Sequence, residues 1–324
     1  MAKTALITGI SGQDGSYLAE LLLGKEYRVY GMVRRSPTEY FENIEHIKDR
    51  LVLKRADLMD QISLMELIEQ SQPDEIYNLA SYSFVPLSWD EPVLTAEHNG
   101  LGVARLLEAI RRVKPDVHFY QASSSEMFGK PEVCPQNEKT PFCPGTPYGS
   151  AKLYAHSIVG NYRDKLGLFS CSGILYNHES PRRGRDFVTR KITLAAARIK
   201  AGLQDKLILG SLDAKRDWGY AKDYVYAMWL MLQQPQGDDF VIASGEEHSV
   251  RDCVEIAFDQ VKLDWRKLVE TDPSFVRQVE LSRLVGDATK ARTKLGWKPS
   301  VSFDQLIRLM TDADIAAVKR AQAA

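Results

Sequence analysis

The sequence predicts an α/β fold in which a doubly wound parallel sheet carries a smaller, partly interleaved α/β lobe. Short apolar runs alternate with helix-length segments through the first half of the chain, and a glycine-rich turn separates the first run from the first such segment. The composition changes after about residue 176, where basic loops begin. Parallel strands that alternate with helices need crossover connections, so the first half is predicted to be a Rossmann-like body.

The predicted elements follow one another regularly. A short apolar run, Ala5 to Ile7, precedes the glycine turn, and a helix is expected from Ser16 to Leu23. Further strands are predicted at 28–33, 51–56, 75–79 and 117–121, with helices at about 62–70, 100–113, 192–201 and 303–318. We expect a first domain at 1–175, with residues of about 212–245 as candidates to return to it, and a lobe formed mainly by 176–324.

Composition limits the classes of function. The chain has 324 residues, 44% of them hydrophobic and 26% charged, with a formal net charge of −1. A near-neutral charge argues against nucleic-acid binding, because a nucleic-acid binder must neutralise phosphates. No run approaches the roughly 20 apolar residues of a membrane span, and the start lacks a signal-peptide cleavage site, so we expect a cytoplasmic protein. No metal site or disulfide framework is expected from the four scattered cysteines, Cys134, Cys143, Cys171 and Cys253.

Residues 8–15, TGISGQDG, place three glycines with G-x-x-G-x-x-G spacing between the first strand and the first helix. Glycine is needed where the turn is tight and where the backbone approaches a pyrophosphate, while the helix N-terminus offers aligned N–H groups to the anion. We therefore predict a dinucleotide site; a tight turn without a ligand is the alternative. The predicted residues are Gly9, Ser11, Gly12, Gln13, Asp14 and Gly15.

The second strand runs into Arg34, Arg35 and Ser36, where NAD-specific sites usually carry an acidic residue that binds the ribose 2′-OH. Two guanidinium groups and a hydroxyl suit a 2′-phosphate, because arginine forms charge-assisted bidentate bonds to phosphate oxygens. The predicted cofactor is therefore NADP, and a solvated basic loop is the alternative. Asp57, after the third strand, is a candidate partner for the adenine amino group, although on spacing alone an ordinary loop aspartate is nearly as good an interpretation.

Tyr148 and Lys152 form a Y-x-x-x-K motif that spans one helical turn, so the phenol and the ammonium lie on one helix face. An unperturbed tyrosine has a pKa of about 10, and a nearby cation favours the phenolate, so the pair is expected to supply a base near neutral pH. For the motif alone, a chance surface pair is the alternative. Its place downstream of the glycine turn favours the catalytic interpretation.

Together the glycine turn and the Tyr148/Lys152 motif resemble the extended short-chain dehydrogenase/reductase superfamily. In that superfamily a serine or threonine beside the tyrosine binds the reacting oxygen, and Ser124 in the segment 121–129, QASSSEMFG, stands at that place. The same segment carries Glu126, in a neighbourhood where simple reductases and epimerases tend to have an apolar residue. A carboxylate at this position implies a second proton to move.

The segment QASSSEMFG is similar to the corresponding segment of the GDP-mannose 4,6-dehydratase family. The resemblance covers nearly the whole chain, through YNHESP at 176–181, FVTRK at 187–191, KRDWG at 215–219 and LGWKP at 295–299. It implies that a sugar is oxidised at C4, with Tyr148 as base and Ser124 at the oxygen. Glu126 is then the base at C5 and the acid toward the leaving C6 hydroxyl, and the hydride returns to C6.

The resemblance also implies binding residues and an assembly. GDP-mannose or a related GDP-sugar is the expected substrate, and a homodimer or homotetramer is expected, in which the 34–35 segment can reach a neighbouring subunit's cofactor site. Further residues implied at the cofactor are Leu58, Leu79 and Ala80. Those implied at the substrate, besides Glu126, are Ser83, Asn177, Val188, Lys191, Arg216, Arg277 and Glu280.

Two departures from the family pattern bear on the sugar. Ser124 stands where threonine is usual, and Tyr82 stands where glutamine is usual in the segment 80–89, which should border the sugar. The nucleotide preference is therefore better determined than the hexose preference. The alternatives are another nucleotide-sugar enzyme of the same fold, such as a 4-epimerase or 4-keto reductase, and a non-catalytic NADP-binding sensor.

Overall fold

The computed structural model describes residues 2–34, 41–275 and 283–323. Its strands, in chain order, are β1 (Thr4–Thr8), β2 (Arg28–Val33), β3 (Val52–Arg55), β4 (Glu75–Asn78), β5 (His118–Ser124), β6 (Ser170–Leu175), β7 (Asn177–Glu179), β8 (Leu207–Leu209), β9 (Lys215–Arg216), β10 (Trp218–Tyr220), β11 (Asp239–Ile242), β12 (His248–Ser249) and β13 (Val269–Thr271).

Helices fill most of the connections between these strands. They are α1 (Gln13–Gly24), α2 (Gln61–Ser71), α3 (Leu87–Asp90), α4 (Pro92–Ala96), α5 (Gly102–Val113), α6 (Pro147–Leu166), α7 (Val188–Lys200), α8 (Ala221–Leu232), α9 (Val250–Gln260), α10 (Thr289–Leu295) and α11 (Phe303–Ala323), with a π-helical turn at Glu97–Leu101 and a 3-10 turn at Ser125–Met127.

Seven strands form one parallel sheet in the order β11-β6-β5-β4-β1-β2-β3. In the central strand β1, Ala5 and Ile7 pack into the core that contains α1 and α8, while Leu6 packs into the core that contains α2, α5 and α6. Successive side chains of a strand point to opposite faces, so this uninterrupted apolar run is buried on both sides. The predicted doubly wound, Rossmann-like sheet is confirmed.

The chain returns to the sheet after the smaller lobe has begun. β11 pairs with β6 at one edge of the sheet, and α8 packs against α1 in the core on one face. Both elements lie within the stretch of about 212–245 that the sequence suggested. The domain division at residue 175 stays a prediction.

The smaller lobe has a core of its own, formed by α7, α9 and α11 with the short strands β8 and β10. Arg190 of α7 and Asp314 of α11 form a buried ion pair of 2.7 Å, and Thr193 donates a hydrogen bond of 2.7 Å to the same carboxylate. Asp217, fully buried between β9 and β10, accepts backbone N–H bonds from the loops after β11 and before α10. Asp314 therefore joins two helices within the lobe, and Asp217 joins the lobe to the loops beside β11 and α10.

Helical structure begins earlier along the chain than predicted at several places. α7 begins at Val188 rather than near 192, because its first turn is mostly polar and the apolar periodicity starts only at Ile192. The helix predicted at 100–113 is preceded by short helical segments that begin at Leu87, with Pro92 at the first position of α4. Proline is compatible with the first turn of a helix, and here Pro92 is the first residue of α4, a helix that was not predicted.

Candidate active site

A cleft of about 720 Å³ lies at the carboxyl edge of the sheet, between the sheet and the smaller lobe. Doubly wound sheets bind their ligands at this edge. The structure brings most of the predicted site residues into its lining: Gly9, Gly12, Gln13, Asp14, Gly15, Leu79, Ala80, Ser83, Ser124, Glu126, Tyr148, Lys152, Asn177, Val188, Lys191 and Arg216.

The glycine turn closes one end of the cleft because its backbone passes very near other backbone atoms. Gly9 has φ of +68°, and a Cβ there would lie 2.9 Å from the backbone N of Ala80. A Cβ on Gly15 would lie 2.3 Å from the carbonyl oxygen of Gly9. Side chains are therefore excluded, and α1 begins directly at the cleft, where its first N–H groups can bind a pyrophosphate.

Gln13 and Asp14 tie this turn to the smaller lobe. Asp14 Oδ2 lies 2.7 Å from His178 Nε2, and Gln13 Nε2 donates 3.0 Å to the carbonyl oxygen of His178 in β7. Burial acts to raise the pKa of Asp14, but the charge and hydrogen bond of His178 lower it overall. Burial acts to lower the pKa of His178, and Asp14 raises it overall. The two side chains form an ion pair beside the predicted cofactor position.

Tyr148 lies in the first turn of α6, and its side chain is buried at the wall of the cleft. Burial raises its pKa to about 12; the charge of Glu126 acts in the same direction, while the hydroxyls of Ser124 and Ser81 oppose the rise. Burial therefore opposes formation of the phenolate, and its supply near neutral pH stays a prediction. The Lys152 Nζ lies 5.7 Å from the ring centroid, and a cation near a phenol favours the phenolate.

Lys152 lies one turn further along α6 and is 4% exposed. Its Nζ donates a hydrogen bond of 3.0 Å to the carbonyl oxygen of Ala122 in β5. Burial lowers its pKa to about 8, although the Asp14 carboxylate acts to raise it. The ammonium can therefore exchange a proton close to neutral pH.

Ser124 and Glu126 stand where β5 ends. Ser124 is the last residue of the strand, and its Oγ accepts a hydrogen bond of 3.2 Å from the backbone N–H of Glu126, which caps the 3-10 turn. The half-buried Glu126 side chain belongs to the cleft lining together with Tyr148. Strand end, turn and helix start thus bring a hydroxyl, a carboxylate and a phenol to one wall.

The other end of the cleft can bind an anion. Val188, the first residue of α7, lines the cleft, and the N-cap residue Phe187 has no side-chain oxygen with which to cap the helix. The first N–H groups of α7 can therefore bind a phosphate. Lys191 and Arg216 line the same region; Lys191 Nζ donates 2.8 Å to the carbonyl oxygen of Ile208.

Some predicted residues lie away from this lining. Among the described residues, Ser11, Arg34, Asp57 and Leu58 do not line the cleft. Asp57 Oδ1 accepts the backbone N–H of Met59 at 2.9 Å, and the Leu58 side chain is fully buried in the core next to α5. Their cofactor roles stay predictions. Four further predicted residues, Arg35, Ser36, Arg277 and Glu280, lie outside the described residues.

The cleft lining also contains polar residues that were not predicted as site residues, among them Ser81, His178 and Arg183. Ser81 follows the end of β4, and its hydroxyl acts to lower the pKa of Tyr148. Arg183 forms an ion pair of 3.2 Å with the buried Glu179. Position at the carboxyl end of a strand could have indicated Ser81, whereas Arg183 was one of several cations in a basic loop.

A match to a protein-family model shows which family the chain belongs to. A sequence model described as GDP-mannose 4,6 dehydratase matches residues 6–310. The chain belongs to the GDP-mannose 4,6-dehydratase family. The predicted family is therefore confirmed, and with it the prediction that the chain is an enzyme, a hydro-lyase of this dehydratase type.

Curated members of the dehydratase family match along nearly the whole chain. GDP-mannose 4,6 dehydratase 2 of Arabidopsis thaliana is 51% identical over 330 residues, covering 98% of this chain and 88% of the relative. GDP-mannose 4,6 dehydratase of Homo sapiens is 48% identical over 344 residues, covering 98% and 92%. GDP-mannose 4,6-dehydratase of Sinorhizobium fredii is 46% identical over 344 residues, covering 98% of each chain.

Solved structures of other sugar-nucleotide enzymes share the fold of this dehydratase family member. UDP-glucose 4-epimerase of Thermotoga maritima superposes with a TM-score of 0.86 at 23% identity, covering 97% of this chain and 99% of that one. The dTDP-glucose 4,6-dehydratase of Bacillus anthracis gives 0.84 at 21% identity, covering 96% of both. At these identities the likeness shows the fold alone.

Membrane-spanning helices and metal-binding clusters are both absent from the described residues of this family member. None of its described helices combines the length and the apolar character that crossing a membrane requires. Within the same residues, no group of three or more His, Cys, Asp or Glu side chains is placed to hold a metal ion.

Proposed function

We propose that the chain converts GDP-mannose into GDP-4-keto-6-deoxy-mannose, with NADP as its bound cofactor. The observation that carries this proposal is that Ser124, Glu126, Tyr148 and Lys152 line one cleft in a member of the GDP-mannose 4,6-dehydratase family. A simple oxidation needs one acid/base group, whereas loss of water needs a second. Glu126 supplies that group.

The glycine turn fits a dinucleotide, since the missing side chains of Gly9 and Gly15 let the start of α1 face the cleft. Two arginines and a serine at positions 34–36 favour the 2′-phosphate of NADP over NAD. When bound, NADP in its oxidised form supplies the acceptor for the hydride of sugar C4, a positive charge that favours the Tyr148 phenolate, and the hydride that returns to C6.

Oxidation at C4 requires removal of the hydroxyl proton. With its pKa raised to about 12, Tyr148 is protonated at neutral pH in the free protein, so its activation belongs to the complex with cofactor and substrate. In that complex Tyr148 takes the proton and Ser124 holds the oxygen. Burial lowers the pKa of Lys152 to about 8, so this group can give or accept a proton close to neutral pH.

The C4 ketone makes the proton on C5 acidic. Glu126 removes this proton as a carboxylate and passes it to the C6 hydroxyl, which leaves as water. The double bond between C5 and C6 is then reduced by hydride addition at C6. C5 also regains one proton, which equals in number the proton that Tyr148 took from the C4 hydroxyl. Each group of the chain therefore ends the cycle as it began it.

The start of α7 and the nearby cations suit the diphosphate of a GDP-sugar. Lys191 and Arg216 line the cleft beside the first N–H groups of this helix, and a helix N-terminus with two cations balances the charge of a diphosphate. Ser83 and Asn177, which also line the cleft, can contact hydroxyl groups of the sugar. Arg277 and Glu280 stay predictions as further GDP contacts.

A panel of nucleotide sugars tests the activity. Purified protein with NADP is incubated separately with GDP-mannose, UDP-glucose and dTDP-glucose, and mass spectrometry follows the loss of one water. We expect loss of water from GDP-mannose alone. Turnover of only a UDP- or dTDP-sugar contradicts the nucleotide assignment, and a GDP-sugar product of unchanged mass indicates a 4-epimerase.

Glu126→Gln tests the dehydration step. The amide keeps the shape of the side chain but cannot accept the C5 proton, so product formation should fall by roughly 10²–10⁴-fold while calorimetry shows GDP-mannose binding retained. Glu132→Gln, on an exposed loop a few residues later, is the matched control and should keep full activity. Product formation at the wild-type rate by Glu126→Gln excludes this mechanism.

We also propose a homodimer, or a tetramer built from such dimers, that buries the exposed face of α6. Apolar side chains of neighbouring elements are exposed on this face: Trp89 is 55% exposed, Val93 75% and Tyr154 44%. Adjacent exposed apolar side chains mark interaction surfaces. Val93→Lys should shift the mass measured by light scattering toward the monomer, and an unchanged mass rules out this face.

The proposed compartment is the cytoplasm. All four cysteines are free in the structure, which suits a reducing environment. Cell fractionation with an antibody to the chain tests this proposal, and recovery outside the cytosolic fraction contradicts it.

A further inference from the structure

Arg34 and Tyr82 contact each other above the sheet edge that carries the glycine turn. Arg34 Nη1 donates a hydrogen bond of 2.7 Å to the Tyr82 hydroxyl, and the guanidinium carbon lies 5.3 Å from the centre of the Tyr82 ring. A hydrogen bond and a cation–π contact thus hold the same guanidinium group. The rest of the Arg34 side chain is exposed.

The two residues come from the strands on either side of β1. Arg34 follows β2 and Tyr82 follows β4, and Thr8 at the end of β1 pairs with Met32 on one side and Asn78 on the other. The glycine turn starts directly after Thr8. The contact therefore spans the point at which a dinucleotide would enter the site.

Both the backbone and the ring of Tyr82 are fixed by contacts with neighbouring residues. Asn99 Oδ1 accepts the backbone N–H of Tyr82 at 2.9 Å, and Asn99 Nδ2 donates 3.0 Å to its carbonyl oxygen. The ring of the buried His98 meets the Tyr82 ring edge-on, with centroids 4.7 Å apart. Burial lowers the pKa of His98, and Arg34 acts in the same direction, so His98 is neutral at neutral pH and does not repel the guanidinium.

We infer that Tyr82 is a positioning residue that holds Arg34 ready for the 2′-phosphate of NADP. This inference rests on the proposed use of NADP. A free arginine side chain loses much rotamer entropy when a ligand fixes it, and a contact that fixes it beforehand reduces that loss. The guanidinium has five N–H donors and the phenol takes one, so the contact leaves donors for a phosphate.

Binding of two small nucleotides to the cofactor-free protein tests the inference. Calorimetry measures the affinity of adenosine 2′,5′-bisphosphate, which carries the 2′-phosphate, and of 5′-AMP, which lacks it. Tyr82→Phe keeps the ring and removes the hydrogen bond, so the bisphosphate should bind about 5-fold more weakly, with AMP unaffected. Arg34→Met should weaken bisphosphate binding about 10-fold, and adding Tyr82→Phe to Arg34→Met should change nothing more.

The controls separate a positioning role from a structural one. Tyr226→Phe, an exposed tyrosine on α8, should leave both affinities unchanged, and GDP-mannose should bind Tyr82→Phe as it binds the wild type. Unchanged bisphosphate binding by Tyr82→Phe overturns the inference, and so does tighter binding, since Tyr82 would then compete with the phosphate. A further loss when Tyr82→Phe is added to Arg34→Met also overturns it, because Tyr82 would then act without Arg34.

Binding by the wild type separates a failure of the Tyr82 role from a failure of the proposed use of NADP. If the wild type binds the bisphosphate no better than AMP, the NADP proposal fails and the inference fails with it. If the wild type prefers the bisphosphate and Tyr82→Phe shows the same preference, only the role of Tyr82 fails.

Discussion

Replacement of Lys152 by methionine should stabilise the cofactor-free protein. Burial lowers the pKa of Lys152 from 10.5 to about 8. Each pKa unit corresponds to about 1.4 kcal/mol, so the folded state disfavours the charged form by about 3 kcal/mol. Methionine removes this penalty and also the hydrogen bond to Ala122, which is worth about 1 kcal/mol. The net gain in the free energy of unfolding at pH 7 should be about 2 kcal/mol.

The pH dependence identifies the cause of this gain. The pKa of Lys152 is lower in the folded protein than in the unfolded chain, so between about pH 8 and pH 10.5 the unfolded chain binds more protons. Wild-type stability should therefore rise with pH in this window through this group. The variant lacks the group, so its advantage should shrink above pH 8 and become a deficit of about 1 kcal/mol at the upper end of the window, where only the lost hydrogen bond to Ala122 remains.

Urea unfolding of the cofactor-free proteins at pH 7, 8.5 and 10 measures both effects. Lys165→Met changes an exposed lysine on the same helix and should alter stability by no more than about 0.5 kcal/mol at each pH. A Lys152→Met protein that is less stable than the wild type at pH 7, by an amount that does not vary with pH, refutes the reasoning. The same variant should lose product formation, since the stabilising change removes a catalytic group.

Three further changes test the site and the lobe. Tyr148→Phe should lower product formation by roughly 10²–10⁴-fold and leave GDP-mannose binding intact in calorimetry, because only the hydroxyl is removed. Asp314→Asn should lower the free energy of unfolding in urea by about 1–3 kcal/mol, because Arg190 loses its charged partner, although burial raises the pKa of Asp314 and so already disfavours its charge. His178→Phe should lower the thermal midpoint more at pH 6 than at pH 9. Burial acts to lower the pKa of His178, but Asp14 raises it above 6.5 overall. The stability that the His178–Asp14 pair contributes is therefore fully present below pH 6.5 and is lost as the pH rises through the raised pKa.

Each of these predictions has an outcome that excludes it. Tyr148 is not the base at C4 if Tyr148→Phe forms product at the wild-type rate. Asp312→Asn, exposed on α11, is the control for Asp314→Asn and should cost no more than about 0.5 kcal/mol; equal losses in the two variants would mean that the buried pair contributes nothing special. A midpoint difference for His178→Phe that is the same at both pH values would mean that His178 is not charged in the fold.

Features whose chemistry lies in contiguous residues were predictable from the sequence. The glycine turn, the segment that contains Ser124 and Glu126, and the Tyr148/Lys152 motif each lie on one local element, and the structure gathers them in one cleft. The strands of the first half were predictable for the same reason, because a strand buried on both faces is an uninterrupted apolar run.

Features that depend on distant residues could not be predicted in this way. Asp14 and His178 form an ion pair although they are 164 residues apart in the chain. The rise in the pKa of Tyr148 follows from burial, which is a property of the assembled fold and cannot be seen in the local motif. Arg34 and Tyr82 likewise come together only in the assembled sheet, where β2 and β4 lie on either side of β1.

The late strand β11 has a consequence for how the chain folds during synthesis. Its partner β6 and the apolar face of α1 are complete long before β11 and α8 leave the ribosome. Until then the growing chain exposes an unpaired strand edge and an uncovered helix face, which favour aggregation and delay closure of the sheet. A fragment that ends at residue 175 would keep this open edge permanently. We therefore expect that residues 1–175 do not fold stably alone and that fusions or truncations should preserve the chain through β11.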